Sequence, residues 1–114
     1  MNQKTISEMT KEVVKIFRKY STTGTNPWTY KTAVQDLSYQ VGSLTKLMLQ
    51  LSHDRYAEGK SEEEIKAGIS DELADIMAEV LFIAHQLDID IHAAWAAMLK
   101  SDETKIKDRH TTSL

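Results

Sequence analysis

The stretch from Ile69 to Leu87 contains neither Pro nor Gly, and Ile69, Leu73, Ile76, Val80, Ile83 and Leu87 recur in it at steps of three and four. That period is one face of an α-helix, and the chain must adopt a fold able to bury it. Glu72, Asp75 and Glu79 stand at i, i+3 and i+7, so their carboxylates stack along a second face beside the apolar one. Like charges at such spacings oppose a helix by about 0.2–0.5 kcal/mol per pair. The acidic ridge therefore calls for a cation, either a bound metal or a Lys or Arg from elsewhere. From Ile76 to Ala84 only Glu79 is polar, so nearly the whole circumference needs cover. The helix is expected to be central and helped by another subunit.

The chain has 114 residues, enough for a single domain whose core would gain from oligomerisation. One Pro and four Gly leave little turn chemistry for a sheet, so the fold class is all-α, a bundle of four to five helices. No apolar run approaches the roughly 18–20 residues of a membrane span, and Met1 to Thr10 is too polar for a signal peptide. The absence of Cys rules out disulfides and thiolate metal sites and fits a reducing, cytoplasmic setting. Net charge is −3 with both signs dispersed, so neither a nucleic-acid footprint nor a membrane partner is expected.

In chain order, Ile6, Met9, Val13, Phe17 and Tyr20 define one face of a first helix, with Lys11, Lys15, Arg18 and Lys19 on another. That basic face is either solvated or attractive to phosphate. Gly24 and Asn26-Pro27 break the chain into a loop that carries Trp28. Trp28 is either a plug for the bundle's end or a stacking surface for a base. A second helix is expected from about Tyr30 to Ser52, its apolar seam formed by Val34, Leu37, Val41, Leu44, Met48 and Leu51. Asp36, Gln40 and Ser43 share its polar face, and Gly42 in its interior points to close approach by another helix or ligand. Ser61-Glu62-Glu63-Glu64 reads as a capping box. Gly68 either interrupts the helix that follows or divides a short one from the central one. Asp88-Ile89-Asp90 is a tight connection with an Asp as N-cap, and Ile91, Ala94, Trp95, Met98 and Leu99 give a last helix its apolar face. The domain is expected to run over 1–114, with frayed tails at 1–4 and 108–114.

Nucleophilic catalysis has no support in a chain without Cys and without a Ser in a strand-turn-helix elbow. His53, His85, His92 and His110 contain no i, i+4 pair for zinc, and His85 between apolar neighbours reads as an interior histidine. Hard-metal chemistry remains. Mg²⁺ takes oxygen ligands and is held by one or two carboxylates plus substrate phosphates, which Glu72, Asp75 and Glu79 can supply, with the Gln40 amide as a weaker oxygen. Acidic residues near a helix N-terminus are also favoured by the dipole, by about 0.3–1 kcal/mol; this accounts for Asp71 and Glu72 better than for Asp75 and Glu79.

Over roughly Trp28 to Asp102 the sequence resembles the MazG-like all-α nucleoside triphosphate pyrophosphohydrolases, in which an E-x-x-E and an E-x-x-D motif on successive helices hold Mg²⁺ around a triphosphate. The second motif stands as Glu72-Leu-Ala-Asp75, followed by a family-like Leu87-Asp-Ile-Asp-Ile91. The frame Leu37-x-x-x-Val41-Gly42-x-Leu44 is similar to the first, but Tyr39, Gln40 and Ser43 occupy the places of acids. Between Ser43 and Glu72 lie 28 residues, at the upper limit of the family's spacing. Met98 and Asp102 fall near the places where the family carries a phosphate-binding Lys and Asn.

The resemblance implies a Mg²⁺- or Mn²⁺-dependent hydrolase that converts a nucleoside triphosphate, including non-canonical ones, to monophosphate and pyrophosphate as a homodimer or homotetramer. Glu72 and Asp75 would hold metal, Glu79 metal or the attacking water, and Gln40 would assist. Trp28, Asp36, Gln40, Ser43, Lys46, Lys100, Asp102 and Lys105 would meet substrate, the lysines at the pyrophosphate end and Asp36 as a displaced carboxylate. The alternative is a catalytically silent helical oligomer that binds a nucleotide or a protein partner, because replacing a ligand carboxylate by an amide or hydroxyl removes a full charge from the ligand set.

Overall fold

The computed structural model describes residues 3–112, whose regular structure is four α-helices with no strand among the described residues: α1 (Ile6–Tyr20), α2 (Tyr30–Leu51), α3 (Glu62–Gln86) and α4 (Ile91–Thr112). Each start is sealed locally. The Thr5 hydroxyl accepts from the Glu8 N–H while the Glu8 carboxylate accepts from the Thr5 N–H, both at 3.1 Å. Ser61 and Glu64 form the same reciprocal box at 3.1 and 3.2 Å, as the Ser61 pattern requires. Thr29 caps α2, and Asp90 accepts from the Ala93 N–H at 3.1 Å at the start of α4. The turns after α2 and α3 are made by left-handed His53 (φ 65°) and Asp88 (φ 54°) rather than by glycine. None of the described helices is long and apolar enough to cross a membrane.

α2 and α3 form an antiparallel pair, with α1 laid against α3. Gly68 does not break α3, which runs on through it. A β-carbon there would lie 3.2 Å from Leu47 Cδ1, so this glycine marks the close approach of the two long helices. Gly42, by contrast, has nothing among the described residues within 4 Å of where its β-carbon would be, so the close neighbour expected for it is not found there. Val14, Ala33 and Phe82 form a buried cluster from three helices, with Val13, Phe17, Trp28 and Ile83 packed around it. At the other end of the pair, buried Gln50 donates from Nε2 to the Tyr56 carbonyl at 3.1 Å and ties down the α2–α3 connection.

The expected seam of α2 is split: Leu37, Leu44 and Leu51 are half-buried, and its other members turn outward. Val34, Val41 and Met48 are 49%, 46% and 51% exposed, while Ala33 and Gln50 are buried and Asp36, Gln40 and Ser43 half-buried. On α3, Leu73, Val80 and Leu87 of the expected apolar face are likewise exposed. α4 has no extended packing against any other helix; of its described side chains only Ile91 escapes full exposure. It continues to Thr112, so the tail expected to fray from 108 is helical to that point. At the other end Lys4 is paired with Glu12. The expectations for Met1, Asn2, Ser113 and Leu114 lie outside the described residues. The radius of gyration is 18.3 Å, against about 13 Å for a compact domain of this length.

Candidate functional site

The α2–α3 pair brings its polar faces together. Asp36 and Gln40 from α2 meet Asp75 and Glu79 from α3 in a cleft of about 330 Å³, walled by Phe17 and Tyr20 of α1, by Thr25 and Trp28 of the α1–α2 loop, and by Ala78. The spacing of Glu72, Asp75 and Glu79 puts all three on the side of α3 that faces its neighbours. Glu79 is only 3% exposed. One turn toward the α3 N-terminus, carboxylate oxygens of Asp71, Glu72 and Asp75 lie within 4.8 Å of one another.

The electrostatics of this cluster are uncompensated. Burial, then the neighbouring Asp36 and Asp75 carboxylates, push Glu79 from 4.5 up to about 8. Burial leads again at Glu72, followed by Asp75, Asp71 and Asp36, and its carboxyl is held above the usual range. Asp75 is raised by burial and then by Asp71 and Asp36. Glu72 Oε2 and Glu79 Oε2 are buried without a hydrogen-bond partner among the described residues, a costly condition for a carboxylate. Among the described residues, no Lys, Arg or His lines the cleft. Lys46 and Lys66 instead pair with Glu58 and Glu62, at 3.0 and 3.1 Å. The donor set is all hard oxygen, which fits Mg²⁺ or Mn²⁺ and not a soft metal. Two orphaned carboxylate oxygens facing further carboxylates are the feature such a cation would satisfy.

Gln40 has a definite task in this arrangement. Its Nε2 donates to Asp36 Oδ2 at 3.3 Å, so it orients the one carboxylate that α2 contributes. Trp28 takes the packing role and also reaches the cleft. It packs against the buried cluster, edge-on to Phe17 with ring centroids 5.2 Å apart at 64°, and it also lines the cleft. Phe17 in turn leans on Phe82 at 4.7 Å, so the aromatic wall is anchored in the core.

The remaining expected residues lie elsewhere. Ser43 is half-buried on α2 but does not line the cleft, and Lys46 is held by Glu58. Lys100, Asp102 and Lys105 are exposed on α4, which does not fold back over the cleft of its own chain. Conversely, Asp71, Phe17, Tyr20 and Thr25 were not singled out from sequence. Asp71 is legible in retrospect, four residues before Asp75; Phe17 and Tyr20 read simply as the apolar face of α1. His85 is exposed rather than interior. With Lys11, Lys15, Arg18 and Lys19 it lines a shallow concavity of about 580 Å³ on α1.

No protein-family model, no curated protein sequence and no solved structure matches the chain.

Proposed function

We propose that this protein is a MazG-like, Mg²⁺-dependent nucleoside triphosphate pyrophosphohydrolase. The observation that carries the reading is the pair of buried, partnerless oxygens, Glu72 Oε2 and Glu79 Oε2, set among further carboxylates and next to an aromatic wall. An acidic floor asks for a divalent cation, a cation invites phosphate, and the Trp28–Tyr20 side offers an apolar surface to a base. The α2 side reduced to Asp36 and Gln40 takes the place of the fuller acidic motif in the family it resembles.

Asp36, Glu72 and Asp75 would hold the cation, which when bound supplies neutralisation of charge on the phosphate oxygens. Glu79 is pushed up to about 8 and so holds a proton near neutral pH; beside a bound cation its value falls, which leaves a carboxylate able to accept a proton. In the reaction the oxygen of water bonds to the α-phosphorus, the bond from that phosphorus to the α–β bridging oxygen breaks, and pyrophosphate departs. The proton of the water passes to Glu79. Gln40 keeps Asp36 oriented throughout.

One observation favours a second reading. α2 places a single carboxylate in the cleft, with Gln40 beside it, and a ligand set poorer in charge can bind nucleotide without turning it over. Incubation with canonical and modified nucleoside triphosphates plus Mg²⁺ or Mn²⁺, followed for pyrophosphate release, separates the two. Turnover that is lost in Asp75→Asn supports the enzyme. Metal-dependent binding without turnover supports the silent form, and neither binding nor turnover refutes both.

A further inference from the structure

We infer that the concavity on α1 is a binding site for a compact oligophosphate, separate from the acidic cleft. All four basic residues of α1, Lys11, Lys15, Arg18 and Lys19, line it, and neither of the helix's two acids, Glu8 and Glu12, does. The acids are occupied elsewhere: Glu8 closes the Thr5 cap and Glu12 is paired with Lys4. The four cations, by contrast, make no ion pair among the described residues. A solvated face accounts for exposed lysines, but it does not account for this sorting. Arg18 and Lys19 stand in the last turn, where the helix dipole favours a cation. Lys11 and Lys15 lie further in and gain nothing from it. Lys11, Lys15 and Lys19 recur at four-residue steps, a spacing at which like charges repel, and an anion lying along the row relieves that repulsion.

Two helices shape the site. Buried Val14 lies among the cations, and His85 adds a ring N–H from α3, so the cations border a hollow of about 580 Å³ rather than a convex stripe. The rise from Lys11 to Lys19 is about 12 Å. A single phosphate cannot meet groups spread over that length, whereas a short chain of phosphates can, with Arg18 able to take one of them through two parallel N–H donors.

The surroundings favour a short anion over a nucleic-acid strand. A smaller hollow of about 200 Å³ joins this site to the cleft, sharing Val14, Arg18 and His85 with the one and Phe17 and Trp28 with the other. A strand leaving in that direction would run its phosphates toward Asp36, Asp75 and Glu79, which repel them. Among the described residues no Phe, Tyr or Trp lines the basic hollow itself, whereas grooves for single strands combine their cations with stacking aromatics. The positive charge is local and bounded, as an anion of a few phosphates requires. The inference holds whether or not the cleft turns nucleotides over.

Isothermal titration calorimetry of the full chain with tripolyphosphate in EDTA tests it, since without a divalent cation the acidic cleft repels phosphate. Binding is expected at about 50 mM salt and is expected to weaken as added salt screens the charges. Lys15→Gln combined with Arg18→Gln, both at exposed positions, removes two charges and is expected to weaken binding by about tenfold. Lys66→Gln on α3, where the lysine is paired with Glu62, is expected to bind as the wild type does. Adenosine triphosphate is expected to bind no more tightly than tripolyphosphate, because the site meets phosphates alone; clearly tighter binding would overturn the assignment to an oligophosphate. No saturable binding of tripolyphosphate at millimolar concentration, or equal binding by the double variant, would also overturn it. So would a single-stranded oligonucleotide or vesicles of anionic lipid that bind more tightly than tripolyphosphate at the same salt, either of which would give the surface to a larger partner.

Discussion

Leu47 occupies the space that any side chain at position 68 would need, its Cδ1 and Cδ2 lying 3.2 and 3.3 Å from where a β-carbon on Gly68 would stand. The contact sets the separation of α2 and α3 and hence of the two acidic faces that flank the cleft. Gly68→Val forces branched carbon into Leu47 and is expected to lower stability by about 1–3 kcal/mol, the usual range for overpacking. Gly42→Ala meets open space and is expected to gain about 0.4–1 kcal/mol through helix propensity and a less disordered unfolded chain. Urea denaturation of the two variants beside wild type checks both signs, and a stabilised Gly68→Val would show that the helices part more easily than their packing implies.

Glu79 makes stability depend on pH in an unusual direction for a carboxylate. Its folded value is raised to about 8, so the native state holds a proton that the unfolded chain has given up. Stability is fully present below the ordinary value of 4.5 and is lost as pH rises through about 8. Asp36 from α2 and Asp75 from α3 face the group and add to the effect, and Glu72, also raised, acts in the same sense. The metal-free protein is expected to melt at progressively lower temperature across this window. Glu79→Gln, neutral throughout, is expected to flatten most of that slope. A variant with the wild-type slope would locate the titrating group elsewhere.

The acidic ridge was legible in the sequence because three carboxylates at helical spacing need no tertiary information to fall on one face. Its partner was legible only as a possibility, since nothing in the spacing of Asp36, Gln40 and Ser43 says which of them reaches the cleft. The α2 seam shows the opposite limit. Val34, Val41 and Met48 announce that a surface must be covered, but hydrophobic period is silent on whether the cover comes from the same chain. Within the chain α3 packs on the polar side of α2, so Asp36 and Gln40 are drawn inward while Val34, Val41 and Met48 of the seam are left outside. The same ambiguity affected α4, whose apolar stripe reads as a core face and is exposed from Trp95 to Ile106.

A divalent cation bound between the carboxylates binds the folded state alone and must raise its melting temperature, by about 2.7 kcal/mol of stability at a hundredfold excess over its dissociation constant. Asp36→Asn and Asp75→Asn each remove one charge from the cluster and are expected to abolish most of the Mg²⁺-induced shift. Because each also relieves repulsion on Glu79, the metal-free variants are expected to melt no lower than wild type. Thermal scans with and without Mg²⁺ measure both effects. An undiminished shift in both variants would mean that the ion sits away from this cleft.

Trp28 is asked to do two things, and they can be measured apart. Its edge contact with Phe17 contributes about 0.5–1.5 kcal/mol beyond the area it buries. Because the ring is only half-buried, Trp28→Ala is expected to cost about 2–3 kcal/mol, below the range for a fully buried Trp. Trp28→Phe should recover most of that loss while shrinking the wall of the cleft. The chain has just two tryptophans, so Trp95→Phe leaves Trp28 as the sole indole reporter. In that background, adding a nucleoside triphosphate with Mg²⁺ is expected to quench or shift the emission as the base approaches the indole. Emission that stays constant while the triphosphate demonstrably binds would confine Trp28 to its structural part, leaving Tyr20 as the aromatic group of the cleft that meets the base.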